Sequence, residues 1–280
     1  MDFKNKVAVI TGAAGTLCSE ITLDLAKKGV KVVMVDLAAE KLQGLAEKIE
    51  AFGGEYMIET GDVTSLESMT KVADNVFAKW GPCDFLINGA GGNQLNALTT
   101  ITEFDPIELS NEKPEGMRGF FDLDMPTYER VLKINTIGTV VCCQAFGKQM
   151  ALADGGAIIN FASMNAYCPL TRVPAYAMSK AAIENYTKWL GNYFAPANIR
   201  VNAIAPGFFV NERSINYLGT VETGLTARGE QVINHTPMKR FGVASDLLGC
   251  VEWLLSDDKA GFVTGITIPV DGGFLTKSGV

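Results

Sequence analysis

The chain has 280 residues, of which 48% are hydrophobic and 20% charged, and its formal net charge is -7. This size and composition predict a single domain over residues 1–280 with a large buried core. The negative charge argues against a nucleic acid or an anionic membrane surface as a partner. No stretch is long and apolar enough to span a membrane, and the first residues lead directly into a predicted strand, so we expect a cytoplasmic protein.

Short apolar, β-branched runs alternate with helical patterns along the chain. The predicted strands are KVAVIT, VKVVMV, EYMIE, DFLIN, AIINF, IRVNAI and ITIPV. The predicted helices run from Glu20 to Lys28, Ala39 to Phe52, Leu66 to Trp80, Tyr128 to Ala153, Tyr176 to Phe194 and Ala244 to Leu255. Apolar strands alternating with helices are typical of a parallel sheet buried on both faces. The sequence therefore predicts an α/β protein, a Rossmann-type doubly wound seven-stranded parallel sheet flanked by helices.

The turn after the first strand contains glycines and leads into a helix. Glycine lets backbone amides approach a pyrophosphate closely, and a helix N-terminus favours its negative charge. The second strand ends at Asp36, whose carboxylate can accept hydrogen bonds from both adenosine ribose hydroxyls and would repel a 2′-phosphate. We therefore predict NAD(H) rather than NADP(H) as the cofactor, while Asp36 could also cap the next helix. The residues assigned to the turn are Gly12, Ala14, Gly15, Thr16 and Leu17.

Two later strand ends extend the predicted dinucleotide site. Asp62 and Val63 follow the third strand and would cover the adenine with an acceptor and an apolar contact. Asn88, Gly89 and Ala90 follow the fourth strand, where small residues let the backbone pass close to the cofactor. These turns share the carboxyl edge of the sheet, where ligands bind in such folds.

Two long irregular segments are predicted at the same edge. Residues 92–126 are rich in Asn, Thr, Pro and acids and follow the fourth strand. A loop of this length is usually functional or mobile, so we interpret it as a rim or lid over the substrate, with a plain surface insertion as the alternative. Residues 208–235 form a second predicted lid.

Tyr176 and Lys180 lie four residues apart, thirteen residues after Ser163. On a helix this spacing places the phenol and the ammonium on one face, where the cation would lower the phenol pKa. Tyr176 would then act as a general acid and base on a ketone or secondary alcohol, with Ser163 hydrogen-bonded to the substrate oxygen. A tyrosine and a lysine at this spacing are common on helices by chance. The glycine-containing turn, Asp36 and Ser163 together favour the functional interpretation.

The chain resembles the short-chain dehydrogenase/reductase family over nearly its whole length, through TGAAGTLC, NGAG, the Ser163, Tyr176 and Lys180 set, and NAIAPG. The resemblance implies that Asn135 is a fourth catalytic residue and that Lys180 also binds the nicotinamide ribose. It further implies a homotetramer. The resemblance places four more cofactor residues after the sixth strand, namely Pro206, Gly207, Phe209 and Asn211, with Tyr176 and Lys180 also counted among the cofactor contacts.

The sequence departs from the family pattern at a few positions. Thr16 and Cys18 replace glycines of the phosphate turn, Gly89 replaces the second asparagine of the usual NNAG, and Asn211 stands where threonine is common. None of these changes removes a catalytic group. The six cysteines show no CxxC spacing and are expected to be reduced and mostly buried. With a single histidine, His235, we predict no metal site.

The substrate prediction rests on a narrower resemblance and on local charge. SMNAYCPLTRVPAYAMSKAA, HTPMKRFG and PVDGGFLTKSGV resemble the D-mannonate oxidoreductase (fructuronate reductase) branch, which implies NADH-dependent reduction of D-fructuronate to D-mannonate. Guanidinium groups match carboxylate geometry, although such arginines often serve only as surface ion-pair partners. Five basic residues are expected around the mouth of the site, namely Arg172, Arg213, Arg228, Lys239 and Arg240.

Among these, Arg172 and Arg213 are the preferred carboxylate ligands. Asn93 and Asn165 are predicted to bind sugar hydroxyls together with Ser163. Two alternatives remain: a dehydrogenase of another sugar, polyol, gluconate or acyl thioester, and a non-catalytic NAD-sensing protein. The intact catalytic set argues against the second, and a turnover assay would separate them.

Overall fold

One parallel sheet forms the centre of the computed structural model, which describes residues 3–211, 214–220 and 223–278. Its strands are β1 (Val7–Thr11), β2 (Lys31–Asp36), β3 (Tyr56–Thr60), β4 (Phe85–Asn88), β5 (Gly156–Phe161), β6 (Ile199–Pro206) and, after a small hairpin of β7 (Gly219–Thr220) and β8 (Gly224–Leu225), β9 (Thr267–Val270). The strand order is β3-β2-β1-β4-β5-β6-β9. The order reverses between β1 and β4, which creates the crevice where ligands bind in open α/β sheets. The predicted seven-stranded Rossmann-type sheet is confirmed.

Helices cover both faces of the sheet. They are α1 (Thr16–Lys27), α2 (Gln43–Glu50), α3 (Leu66–Trp80), α4 (Met125–Leu132), α5 (Gly138–Leu152), α6 (Pro174–Phe194), α7 (Ile215–Leu218), α8 (Ala227–His235), α9 (Leu248–Leu255) and α10 (Asp257–Ala260). The six predicted helical regions are all present, but three of them are divided. The patterns at Ala39 to Phe52 and Ala244 to Leu255 each begin with a 3₁₀ turn before α2 and α9.

The third division lies within the predicted helix Tyr128 to Ala153. Here α4 and α5 are separated by a π-helical turn at Lys133–Ile137, which contains Asn135. A π turn inserts one extra residue into an α-helix and changes the direction in which its side chains project. The helical periodicity of the sequence predicted one continuous helix and missed this turn.

Alternating residues of each central strand supply two hydrophobic cores. Ile10 of β1 joins a core with α1, α2 and α9, whereas Val9 joins the opposite core with α3 and α5. Every residue of β1, β4 and β6 is buried, so these strands are covered on both faces. This burial explains why their sequences are continuously apolar. The rigid sheet places the ends of β1, β2, β4, β5 and β6 at one edge.

The two segments that were predicted as lids have local structure of their own. Residues 92–124 contain 3₁₀ turns at Leu95–Ala97, Pro106–Leu109 and Phe120–Asp122. The second segment contains α7, the β7–β8 hairpin and α8. Within the described parts of the chain, no helix is both long and apolar enough to cross a membrane. The cysteines are free thiols, and four of the six are buried.

Candidate active site

The turn between β1 and α1 lies directly against the turn after β4. Gly12 has a φ of 65°, and a Cβ added there would lie 2.8 Å from Ala90 Cα, so only glycine fits this approach. The hydroxyl of Thr11 accepts a hydrogen bond from the Ala90 amide at 3.2 Å and joins the two turns. Helix α1 starts after Gly15 without a side-chain cap. Its first amides are therefore available to an anion such as a pyrophosphate.

Asp36 lies at the end of β2, beside the same turn. Its carboxylate accepts hydrogen bonds from the Leu37 amide at 2.8 Å and the Ala14 amide at 3.4 Å. The next helical turn, at Ala39–Leu42, has no side-chain cap, so the alternative role of Asp36 as its cap is not found. The partly exposed carboxylate and the uncapped α1 amides fit an adenosine ribose and a pyrophosphate, respectively.

The other predicted cofactor residues divide into residues at the site edge and residues in the core. Asp62 is exposed and accepts hydrogen bonds from Thr64, whereas Val63 is buried against Gly138. Gly207 lies against Asp271, where an added Cβ would be 2.6 Å from the Asp271 Cα. Both segments follow the carboxyl ends of their strands, and their contact with a cofactor stays a prediction.

Asn88, Phe209 and Asn211 use their side chains within the protein. The buried Asn88 amide donates to Asn160 Oδ1 at 2.9 Å and to Cys143 Sγ at 3.3 Å. The Phe209 ring is buried over Gly242. The side-chain Oδ1 of Asn211 accepts from the Ser214 amide at 3.1 Å, which shapes the turn into α7. For these three residues, contact with a cofactor stays a prediction.

Asn135 connects the π turn to the start of the long loop. Its Oδ1 accepts from the Gly92 amide at 2.9 Å, and its Nδ2 donates to the Gly92 carbonyl and to Ser179 Oγ, both at 3.0 Å. The Ser179 hydroxyl in turn donates to the Tyr176 carbonyl at 2.7 Å. The side chain of Asn135 therefore holds the loop and α6 together. Ser179 was not predicted, because no sequence pattern distinguishes this serine from others.

The catalytic residues predicted from the sequence lie together at the ends of two elements. Ser163 follows β5, and Tyr176 and Lys180 lie on the first two turns of α6. The Ser163 hydroxyl acts on the Tyr176 phenol and favours its ionised form. The Lys180 Nζ lies 5.5 Å from the centre of the Tyr176 ring and donates to the Phe161 carbonyl at 2.6 Å. A proton donor, a second hydroxyl and a cation thus share one small site.

The sequence predicted that the Lys180 cation lowers the pKa of Tyr176, and this prediction is wrong. Burial raises the pKa of Tyr176, and the Ser163 hydroxyl only partly opposes this rise. Lys180 is itself buried, which lowers its pKa to about 8. Its ammonium is directed to the Phe161 carbonyl rather than to the phenol oxygen. The hydroxyl of Ser163 is therefore the group that favours the phenolate here.

The predicted substrate residues lie on three segments around these groups. Asn93 is partly buried at the start of the long loop, and Asn165 is buried next to Ser163, with its Oδ1 accepting from the Leu170 amide at 2.7 Å. Arg172 is exposed shortly before α6. Arg213 lies outside the described residues. Arg228, on the first turn of α8, is partly buried, and burial together with the charge of Arg172 lowers its pKa.

Comparisons with known proteins agree with this architecture. The profile of the family described as short chain dehydrogenase matches residues 6–217. An uncharacterized oxidoreductase of Bacillus subtilis, UxuB, is 43% identical over 98% of this chain and 96% of its own length. The 2-dehydro-3-deoxy-D-gluconate 5-dehydrogenase of Escherichia coli is 30% identical over 98% of this chain and 97% of its own length.

A solved structure gives a further match. It is that of a candidate D-mannonate oxidoreductase from Haemophilus influenzae with bound NAD, and it superposes with a TM-score of 0.92 at 40% identity, covering 99% of this chain and 97% of the other. The chain belongs to the short-chain dehydrogenase family and is an oxidoreductase. The family and the enzyme class predicted from the sequence are confirmed.

Proposed function

We propose that this enzyme interconverts a sugar-acid ketone and its secondary alcohol with NAD(H), and that its reaction is the reduction of D-fructuronate to D-mannonate. The observation that carries the proposal is the grouping of Ser163, after β5, with Tyr176 and Lys180 on the first turns of α6, where Lys180 Nζ lies 5.5 Å from the Tyr176 ring centre. This arrangement suits proton transfer to the oxygen of a carbonyl group. It does not suit acyl transfer through a serine, because no histidine base accompanies Ser163 in the described site.

The cofactor is NAD(H). The uncapped start of α1 offers amides to the pyrophosphate, and the Asp36 carboxylate suits the ribose hydroxyls and disfavours a 2′-phosphate. Bound NADH supplies a hydride to the ketone carbon. Pro206, the last residue of β6, and Gly207, which follows it, are the residues proposed to border the nicotinamide.

The side chains then carry out the proton chemistry. Tyr176 donates its phenolic proton to the ketone oxygen as that oxygen gains charge. Ser163 donates a hydrogen bond to the same oxygen, and it stabilises the phenolate that remains on Tyr176. Lys180 contributes a buried positive charge within 5.5 Å of the Tyr176 ring centre and is the residue proposed to hold the nicotinamide ribose. Asn135 fixes the position of α6 relative to the loop at Gly92.

The sugar-acid substrate is supported by relatives and by charge. Both the candidate D-mannonate oxidoreductase of Haemophilus influenzae and the 2-dehydro-3-deoxy-D-gluconate 5-dehydrogenase of Escherichia coli are named for sugar acids. In a chain of net charge -7, the arginines near Tyr176 are the groups that would attract a carboxylate. We further propose that residues 92–126 and 208–235 form two lids over the substrate.

The first experiment measures NADH oxidation with D-fructuronate, with D-fructose, 5-ketogluconate and tagaturonate as other ketones, and repeats each assay with NADPH. We expect fast turnover with D-fructuronate and NADH. Fast turnover with another ketone alone would contradict the D-fructuronate assignment and leave the proton-transfer chemistry in place. Absence of turnover with every ketone, despite NADH binding, would favour an NAD-sensing protein instead.

A single substitution tests the catalytic assignment. Tyr176→Phe keeps the ring and removes the proton donor, so turnover should fall by roughly 10²- to 10⁴-fold, the usual effect of losing a general acid. NADH binding, measured by fluorescence, should remain close to that of the unmodified enzyme. Tyr128→Phe removes a hydroxyl from α4 and serves as the control. Near-normal turnover of Tyr176→Phe would show that another residue donates the proton.

A further inference from the structure

We propose that Ser179 is a positioning residue that holds Tyr176 at a fixed place relative to Asn135. The inference rests on the proton transfer proposed above for Tyr176, and it applies to any ketone that the enzyme reduces. Ser179 lies on α6, with 0% of its surface exposed. A buried hydroxyl needs partners within the protein, and the partners of this one are Asn135 and Tyr176.

The Ser179 hydroxyl has one proton to donate, and the acceptor is the backbone carbonyl of Tyr176 at 2.7 Å. The hydroxyl oxygen in turn accepts from Nδ2 of Asn135 at 3.0 Å. The carbonyl belongs to the residue that carries the phenol, and Lys180 follows Ser179 directly. One side chain therefore joins the part of α6 that carries both reacting groups to the π turn that carries Asn135.

Asn135 continues this connection to the loop that begins at Gly92. Its Oδ1 accepts from the Gly92 amide at 2.9 Å, and its Nδ2 donates to the Gly92 carbonyl at 3.0 Å. A Cβ added to the preceding Gly91 would lie 2.6 Å from Asn135 Oδ1 and 3.8 Å from Lys180 Nζ, so this backbone passes directly beside Lys180. Ser179 is thus the link through which α6 and the loop keep a constant separation.

Loss of the Ser179 hydroxyl would leave a buried donor without a partner. Asn135 is 1% exposed, so in Ser179→Ala its second Nδ2 proton would face a methyl group in a place that water hardly reaches. Asn135 would then move to find another acceptor, and the loop would move with it. The apolar contacts among Ala97, Val131 and Ala175 do not involve the hydroxyl and keep the loop, α4 and α6 folded. The effect therefore falls on the positions of the reacting groups.

The same helix offers a matched hydroxyl away from the site. Thr187 also has 0% of its surface exposed, and its hydroxyl donates to the Ile183 carbonyl at 2.8 Å and accepts from Asn160 Nδ2 at 3.0 Å. It lies about 12 Å further along α6 than Ser179, at 1.5 Å of rise per residue. Thr187→Val removes this pair of hydrogen bonds at nearly constant volume, just as Ser179→Ala removes the other pair. Both variants should lose stability, but only Ser179→Ala should slow the reaction.

Steady-state kinetics compare these variants with the ketone that the unmodified enzyme reduces fastest. Ser179→Ala should lower kcat by roughly 10- to 100-fold and leave the KM for NADH unchanged, because small misplacements of reacting groups slow the chemical step. The isotope effect with NADH deuterated at the transferred position should rise, since hydride transfer becomes slower. Ser179→Cys keeps a weak donor and acceptor, so its kcat should lie between those of the unmodified enzyme and Ser179→Ala. Thr187→Val should change neither kcat nor the isotope effect.

A second measurement needs no substrate. Hydrogen exchange in the peptide that contains the Gly92 amide reports how firmly Asn135 is held, because Asn135 Oδ1 is the acceptor of that amide. Exchange should be roughly 2- to 10-fold faster in Ser179→Ala, as expected for the loss of one supporting hydrogen bond. Exchange in Thr187→Val should equal that of the unmodified protein.

The outcomes separate this inference from the proposed function. If Ser179→Ala keeps the kcat of the unmodified enzyme, or loses no more than Thr187→Val, Ser179 is only a core residue and the inference is wrong while the function stands. Equal exchange of the Gly92 amide in the two variants would contradict the link through Asn135. If the unmodified enzyme binds NADH and reduces no ketone, the proposed function fails, and the role of Ser179 in positioning Tyr176 fails with it.

Discussion

Two residues that depart from the family pattern are neighbours in space. A Cβ added to Gly89 would lie 2.1 Å from Cys18 Sγ, far inside contact distance, and 2.9 Å from the Thr11 carbonyl oxygen. Cys18 is buried, with 4% of its surface exposed. The thiol of Cys18 therefore occupies the space that a side chain at position 89 would fill. The two departures, which looked independent in the sequence, depend on each other.

This contact predicts non-additive effects on stability. Gly89→Ala should destabilise the protein, because Cys18 is packed too closely to give way. Cys18→Ala removes the thiol, so the double variant should be more stable than the sum of the single effects by roughly 0.5–3 kcal/mol. Urea unfolding of the four proteins measures this coupling. As a control, the effect of Cys250→Ala, on α9, on the free energy of unfolding should add to that of Gly89→Ala. If the effects of Cys18→Ala and Gly89→Ala also add, the two residues are not sterically coupled.

A second prediction follows from the buried ammonium of Lys180. Burial lowers its pKa to about 8, whereas an exposed lysine titrates near ~10.4. Between these values the unfolded chain binds a proton that the folded chain has lost, so this residue makes folding more favourable as pH rises. The free energy of unfolding of the unmodified protein, minus that of Lys180→Met, should therefore increase from about pH 8 to about pH 10.

The measurement is urea unfolding of the cofactor-free protein at several pH values. Subtraction of the Lys180→Met curve removes the contributions of other titrating groups that the two proteins share. Lys71→Met, which removes an exposed lysine from α3, controls for the loss of one positive charge. A difference that stays flat or falls over this pH range would mean that Lys180 is solvated or paired in solution.

For single residues, the sequence predicted which groups react better than it predicted the contacts that these groups make. Tyr176, Lys180 and Ser163 were found because helical spacing and chain order bring them together. The charge of Arg172 affects the pKa of Arg228, more than fifty residues later in the chain, and no local pattern specifies such an effect. The same limit applies to Asn88, whose amide turns to Asn160 on the neighbouring strand instead of facing the site.

Among the structural elements, the division between α4 and α5 has the clearest functional consequence. The predicted continuous helix would have carried Asn135 on regular α-helical geometry. The π turn at Lys133–Ile137 instead directs its amide to Gly92 and Ser179. Periodicity of apolar residues could not reveal this turn, because the residues on either side keep a helical pattern. The turn is stabilised by tertiary hydrogen bonds made between distant parts of the chain.

The end of α9 depends on one buried arginine of β6. Arg200 is 7% exposed, and its Nη1 and Nη2 donate to the Leu254 and Leu255 carbonyls at 2.6 and 3.3 Å. It also pairs with Asp257 at 2.8 Å. Helix C-termini leave carbonyls without intrahelical partners, so this side chain satisfies groups that would otherwise be buried unpaired.

Arg200→Met should therefore lower the free energy of unfolding by roughly 2–4 kcal/mol, since two buried carbonyls would lose their donors. Arg240→Met, which removes an exposed ion pair with Asp246, should change stability little. Urea unfolding of both variants gives the comparison. Equal, small effects would mean that water reaches the α9 carbonyls in place of Arg200.

On the scale of the whole molecule, the sheet was predictable and the long loop was not. The strand sequences are apolar because the sheet is buried, so local composition reports their position. Residues 92–124, in contrast, are organised by contacts between distant loop residues, such as the Thr100 amide with the Arg118 carbonyl at 2.8 Å and the Arg118 guanidinium with the Leu95 carbonyl. Contacts of this kind leave no periodic signal.

One exposed surface of the molecule bears on the homotetramer that the family resemblance implied. Trp189 and Tyr193 of α6 are 56% and 62% exposed, and their rings stack at 5.1 Å. In the single chain these two side chains lie on the surface. Exposed, stacked aromatic rings on one helix face are typical of protein interfaces. The family resemblance implies that the helix holding Tyr176 lies at a subunit interface, so we expect α6 to pack against α6 of a second copy, since symmetric dimers bury the same surface on both subunits.

Sedimentation velocity tests this assembly. The unmodified protein should sediment with four times the mass of one chain, and Trp189→Glu should dissociate it, because a carboxylate would be buried opposite its own symmetry mate. Phe77→Glu, at an exposed phenylalanine of α3, should leave the mass unchanged. Since α6 also carries Tyr176 and Lys180, dissociation should reduce turnover as well. A Trp189→Glu protein of unchanged mass, or an unmodified protein that is monomeric, would show that this face of α6 serves another purpose.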